Sequence, residues 1–342
     1  MAELKKLPIG IEDFEKIRQE DFYYVDKTRL IEQLLAQWGE VNLFTRPRRF
    51  GKSLNMSMFQ SFFEIGRDKN LFDGLHISKN PKLCEEYQGK YPVIFLTFKD
   101  VKFDSWDATL DKIGSLLQTE YGRHQELLES ERVAAYEKEY FTRVLGGNAS
   151  EVDLTSALEK LSQMLTEYYE KAPIIIIDEY DTPIQQGYQK DYYDKVIQFM
   201  RNLFSGGFKD NQHLSFGFLT GILRVAKESI FSGMNNLSIN SVLDNKYSTY
   251  FGFTADEVKG MAEYYGAADK FDEICEWYDG YRFGKTEIFN PWSVVNYFSN
   301  ECEPRAFWVS TGSNDIIGEV LAQADEETYH RLTALVKGET FT

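Results

Sequence analysis

The segment Arg46-Pro47-Arg48-Arg49-Phe50-Gly51-Lys52-Ser53 is built to hold an anion. It places glycine, lysine and a hydroxyl residue in that order between an apolar run, Val41 to Thr45, and a helical stretch. That is the context a phosphate-binding loop needs: backbone N–H groups and the positive end of a helix face the phosphate oxygens. Lys52 would reach the β- and γ-phosphates, and Ser53 would ligate magnesium. Arg48, Arg49, Phe50, Gly51 and Leu54 complete the candidate nucleotide-binding set. The pattern GxxxxGK(S/T) fails at its first position, where Arg46 stands instead of glycine.

A second set of groups lies at the end of Ile174-Ile175-Ile176-Ile177-Asp178-Glu179. A buried strand that ends in an acid delivers that acid to the crevice where α/β sheets bind ligands. Asp178 would share the magnesium ion with Ser53, and Glu179 would polarise an attacking water as a general base. Read alone, the same run is also compatible with a buried strand ending in surface acids. Thr220, at the end of another apolar run, is either a strand-end hydroxyl or a sensor of the γ-phosphate. Arg224, shortly after it, is either a surface charge or a phosphate-facing cation. Asn245-Lys246-Tyr247-Ser248 approaches the guanine-reading NKxD but lacks its aspartate, which disfavours GTP.

The elements that must position these groups alternate between strand-like and helical texture, the pattern of a parallel α/β sheet. Expected strands are Val41 to Thr45, Tyr91 to Phe98, Ile174 to Ile177, Leu214 to Thr220 and Tyr247 to Phe253. One helix is expected after Asp26, with Leu30, Ile31, Leu34, Leu35 and Trp38 on its apolar face. Another starts at Ser53, with Leu54, Met58, Phe59, Phe62 and Phe63 on its face. The strand at Tyr91 lies between the two motifs, which points to the ATPase branch of such folds. Thr254 and Glu257 form a capping-box pattern for a helix through Tyr265. A boundary near residue 253 gives two domains: an ATPase domain over 1–253 and a smaller, mostly helical one over 254–342.

Composition narrows the function classes. Asp and Glu number 54 against 38 Lys and Arg, a formal charge of -16, so direct nucleic-acid binding would need a local basic cluster. Three cysteines without CxxC spacing and four scattered histidines offer neither a disulfide framework nor a zinc site. With no apolar leader and no run long enough to cross a bilayer, a cytoplasmic protein without membrane contact is expected.

The ordered set Leu7 to Phe14, Tyr23 to Thr28, Arg46 to Ser53, Asp178-Glu179-Tyr180-Asp181, Lys209-Asp210-Asn211 and Thr220 to Arg224 resembles the bacterial AAA-ATPase-like family. Phe251-Gly252-Phe253-Thr254 and Trp277-Tyr278-Asp279-Gly280-Tyr281 extend the resemblance over nearly the whole chain. It implies a STAND-type ATPase: a P-loop NTPase-type parallel sheet, an arginine-rich loop in place of the first glycine, and a winged-helix-like lid. It further implies ATP/ADP and Mg2+ as ligands, Tyr24 and Val25 bordering the adenine, and Pro291 within a lid motif facing the nucleotide. Lys52, Glu179 and Thr220 would carry catalysis.

Many members of that family carry a PD-(D/E)XK nuclease domain after the lid. The chain is expected to stop before it, with Glu257-Val258-Lys259 only an accidental ExK on a helix. The expected function is a nucleotide switch with slow Mg-dependent ATP hydrolysis, open to a protein partner or to self-association on ATP binding. The alternatives are a non-hydrolysing nucleotide-dependent interaction module and an ATPase regulating a nuclease.

Overall fold

Four consecutive isoleucines, Ile174 to Ile177, are all fully buried. Such a run can be buried on both faces only in a sheet covered by helices on both sides. A computed structural model describes residues 4–37, 39–222, 230–231 and 233–307 of the chain. Its main sheet consists of β1 (Val41–Thr45), β2 (Val93–Thr97), β3 (Ile174–Asp178), β4 (Phe216–Gly221) and β5 (Leu237–Asn240). All pairings are parallel, in the order β2-β3-β4-β1-β5. Strand β4 therefore lies between the strand that feeds the loop and the strand that carries the acids. The P-loop-type α/β fold expected from the sequence is present.

Alternation along each strand sends side chains to two separate cores. Leu43, Ile175, Ile177 and Leu219 pack with the helices Trp106–Gly122, Ala157–Tyr169 and Tyr193–Phe208. Phe44, Ile174, Ile176 and Phe218 pack with the helices Lys52–Phe63 and Arg29–Gln37 on the other face. Phe59 and Phe63 of the loop-bearing helix meet Phe218 of β4 at 4.7 and 6.1 Å between ring centroids, fixing that helix over the sheet. The expected apolar stripe from Ser53 is thus present; Trp38 lies outside the described residues.

One expected strand is corrected. Tyr247 to Phe253 is a run of turns, and the fifth strand is Leu237–Asn240. Of the aromatic residues that suggested a strand, Tyr247 and Phe251 are buried and Tyr250 and Phe253 half-buried, but Tyr247 has φ 60° and Gly252 φ 91°, which no strand tolerates. A side chain at Gly252 would place its Cβ 2.3 Å from Ile288 and 2.8 Å from Phe50, so the chain turns there at close quarters. After this turn come the helices Ala255–Tyr264, Phe271–Tyr278 and Pro291–Ser299 and a hairpin, β6 (Tyr281–Phe283) with β7 (Thr286–Ile288). The Thr254 and Glu257 capping box forms as expected, and Glu257-Val258-Lys259 lies on its helix.

The free edge of β2 is closed by charge. Glu120 accepts a hydrogen bond from the Phe95 N–H at 2.9 Å and pairs with Arg123, which also bonds Glu64. His124 is buried against Glu120 (3.3 Å) and faces Glu126 (3.7 Å), which in turn accepts from Tyr169. Burial alone would push the His124 pKa down, and the neighbouring Arg123 adds to that. The hydrogen bonds to Glu120 and Glu126, with the Glu120 charge, override both and raise it to about 9 from 6.5. A raised histidine pKa adds stability in full below pH 6.5 and loses it as pH climbs through about 9. Melting temperature is expected to fall across that window, by the equivalent of roughly 3 kcal/mol, and His124→Gln should flatten the fall. Calorimetry at a series of pH values checks this; an equal decline in the variant would remove His124 as its source.

Candidate functional site

The loop between β1 and its helix takes its shape from two residues with left-handed backbone, Arg49 (φ 68°) and Gly51 (φ 75°). Glycine accepts this conformation without strain, whereas Arg49 must be held there by its surroundings. Lys52 begins the helix, is 5 % exposed, and points back across the loop to donate to the Arg46 and Pro47 carbonyls at 3.0 and 2.9 Å. Burial lowers its pKa, and the charges of Glu179, Asp178 and Asp181 oppose that shift. The ammonium is thus held by loop carbonyls within the field of three carboxylates at the end of the sheet.

Ser53, Asp178 and Thr220 form one hydrogen-bonded chain across three neighbouring elements. The Ser53 hydroxyl donates to Asp178 Oδ2 at 2.7 Å, and the Thr220 hydroxyl donates to Asp178 Oδ1 at 2.5 Å. Thr220 Oγ1 also accepts from the Glu179 N–H at 3.2 Å, while the Tyr180 N–H donates to the Thr220 carbonyl at 2.9 Å. Glu179 sits at φ 52° in this grip. Its carboxylate accepts from the Thr182 hydroxyl at 3.2 Å. Burial raises its pKa, and so does the adjacent Asp178 charge, against Lys52 and Lys102. The carboxylate of Asp178 and hydroxyl of Ser53 are hard oxygen donors already converging on one point, a set that fits Mg2+. Among the described residues no group of three or more His, Cys, Asp or Glu is arranged to hold a metal by itself.

Residues 8–231 match a family described as predicted AAA-ATPase, about two thirds of the chain. The chain belongs to the AAA-ATPase-like family. It is also 31% identical over 323 residues to an uncharacterized protein in the vnfD 5′ region of Azotobacter chroococcum mcd 1. That alignment covers 93% of this chain and 56% of the relative, so the chain spans little more than half the relative's length. No solved structure matches. Membership of a family of predicted AAA-ATPases supports nucleotide binding. No helix among the described residues is long and apolar enough to cross a membrane.

Within this AAA-ATPase-like chain the remaining residues expected at the site are placed as follows. Arg48 is half-buried in the loop, and its charge reaches Lys52. Arg49 lies with its guanidinium 4.0 Å from the centroid of the Trp292 ring, next to Pro291 at the start of the Pro291–Ser299 helix. Phe50 is fully buried under Tyr281 and Phe283 of the hairpin at 4.7 and 5.2 Å, so only its backbone is available to a ligand. Leu54 packs against the core with the other helix residues. Tyr24 is turned inward, edge-on to Phe14, with its hydroxyl 3.4 Å from Met58 Sδ; Val25 beside it is half-buried. Arg224 lies outside the described residues.

Three features of the site escaped sequence reasoning. Arg46 is fully buried: Nη1 donates to the Thr45 and Asn240 carbonyls at 2.9 and 2.7 Å, and the guanidinium lies 5.0 Å from Phe251 and 5.2 Å from Phe283. Desolvation lowers its pKa to about 10, with Asp244 opposing. Thr97 is paired with Asp178, so Lys99 emerges at the same end of the sheet, where it ion-pairs with Glu12 at 2.5 Å; that partner, with smaller contributions from Glu179 and Asp178, raises its pKa against desolvation. The third is the contact of Trp292, a residue of the lid motif, with Arg49 of the loop. A signal existed for Arg46, its place at the missing glycine; none paired Trp292 with Arg49.

Proposed function

We propose that the protein binds ATP with Mg2+ and hydrolyses it slowly, acting in the cytoplasm as a nucleotide switch. The observation that carries this reading is the Ser53–Asp178–Thr220 chain, which brings the loop's hydroxyl, the acid strand and the strand between them to one point. Lys52 would exchange its loop carbonyls for phosphate oxygens. Ser53 and Asp178 would hold the metal, which when bound neutralises charge on the phosphates. Glu179, next to Asp178 and held at its backbone by Thr220, would accept the proton of the attacking water. Its raised pKa brings it nearer to working pH, which suits a general base.

The segment after residue 253 would act as the winged-helix-like lid that closes over the nucleotide, with Pro291 at its leading edge. Tyr24 and Val25 would border the adenine, through backbone and ring edge given the inward turn of the phenol. Thr220 serves this reading as a sensor through Asp178 and Glu179, both of which it bonds. A change of lid position on ATP binding would expose a surface to a protein partner or to a second copy of the chain.

Glu179→Gln is expected to keep ATP affinity and to lower phosphate release by about 100- to 1000-fold. Its rate in the wild-type protein should also fall on the acid side at a higher pH than an ordinary glutamate gives. Phosphate release and calorimetric ATP binding, run on both proteins, decide it. Equal release by the two proteins would remove Glu179 as the base, and release by neither would leave a nucleotide-binding module without hydrolysis.

A further inference from the structure

The three arginines of the loop are held in different ways. Arg46 is locked: fully buried, bonded to two carbonyls, and flanked by the Phe251 and Phe283 rings. Arg48 is half-buried. Arg49 is half-buried too, and its guanidinium rests on the face of Trp292 at 4.0 Å. Its Nη1 is buried without a hydrogen-bond acceptor, and among the described residues no carboxylate forms an ion pair with it. An aromatic face is a weaker partner for a guanidinium than a phosphate, which takes two parallel charge-assisted hydrogen bonds. Arg49 stands three residues before Lys52, in the same loop and at its left-handed turn. Its partner is fixed: Asn290 Oδ1 accepts from the Trp292 and Ser293 N–H groups at 2.9 and 3.4 Å, pinning the start of the helix that carries the indole.

We propose that Arg49 is shared between two partners that exclude each other, the Trp292 face and the terminal phosphate of a bound nucleoside triphosphate. Binding of the triphosphate then takes the guanidinium from Trp292 and removes this one tie between the loop and the Pro291–Ser299 helix, so that the helix can reseat over the bound nucleotide. This rests on the nucleotide-binding reading above and adds to it the contact through which loop occupancy reaches the lid. Arg46 does not take part in the exchange; with Phe50 packed on Tyr281 and Phe283, it is the pivot about which the lid stays attached. A diphosphate, lacking the terminal group, leaves Arg49 on the indole.

The exchange makes a prediction opposite in sign to that of a structural contact. Removing the indole removes a competitor, so Trp292→Leu should bind ATP-Mg about 3- to 10-fold more tightly than wild type, with ADP affinity unchanged. Arg49→Ala should weaken ATP about 10-fold, and Trp292→Leu added to it should change nothing further, because the competition is gone. Calorimetry on the four proteins, with melting curves to confirm folding, measures this cycle. As a second readout, ATP should alter the emission of wild-type protein relative to Trp292→Phe, and ADP should not. Equal or weaker ATP binding by Trp292→Leu, the same shift in the Arg49→Ala background, or unchanged emission overturns the proposal while leaving nucleotide binding intact. A wild-type protein that binds no ATP in the calorimeter overturns both.

Discussion

Lys52→Ala is expected to abolish ATP binding, with affinity falling by about 100-fold or more, the loss typical when a buried charge partner is removed. The reason lies in where the ammonium sits. It is 5 % exposed, bonded only to the Arg46 and Pro47 carbonyls among the contacts described, and surrounded by the charges of Asp178, Glu179 and Asp181. No other lysine begins that helix, and the neighbouring Arg46 is locked on the far side of the loop. The variant also strips two loop carbonyls of their donor, so its melting temperature should be measured beside its affinity. Lys52→Met, which keeps the stem, separates the two effects: it should fold like wild type and still fail to bind. Unchanged affinity in either variant would discard the phosphate-loop assignment.

The second large effect is expected at Asp178. Asp178→Asn should lose most of the Mg2+-dependent tightening of ATP binding while keeping metal-free binding, since the amide preserves shape and removes the charge. Asp178→Ala should lose the same tightening and also stability, by about 1–3 kcal/mol for the buried Thr220 hydroxyl left without its acceptor and by less for the half-buried Ser53. The Ser53 and Thr220 hydroxyls donate to Asp178 at 2.7 and 2.5 Å. Titrations with Mg2+ and with chelator on all three proteins test this. Equal magnesium dependence in wild type and Asp178→Asn would take Asp178 out of the site.

What was legible in the sequence follows from burial. Strands β1 to β4 carry dense apolar runs because helices cover both their faces, and each was placed within about two residues. Strand β5 is an edge strand in which Leu237, Ser238 and Ile239 are only half-buried, so its sequence is too mixed to stand out. Tyr247 to Phe253 drew the assignment instead, because aromatic residues are enriched in strands and equally at home beneath turns. At the site, Gly51, Lys52, Ser53, Asp178 and Glu179 could be read because their spacing relative to strand ends encodes their convergence. Thr220 could be placed between them but not bonded to them. The burial of Arg46 and the stacking of Arg49 on Trp292 depend on partners more than 200 residues away, Phe251 and Trp292 among them. No local pattern carries that information.

The Glu120 carboxylate that receives the Phe95 N–H has a meaning for how this molecule meets others. An outer strand with its amides unclaimed is a template on which a foreign strand can grow, and proteins that assemble by sheet extension keep such amides open. Here the central amide of β2 is occupied by a buried acid that Arg123 and His124 hold in place. A recruited strand would have to evict that acid and strand two cations. Docking through main-chain pairing is thereby blocked at mid-strand, and recognition on this flank must be written in side chains.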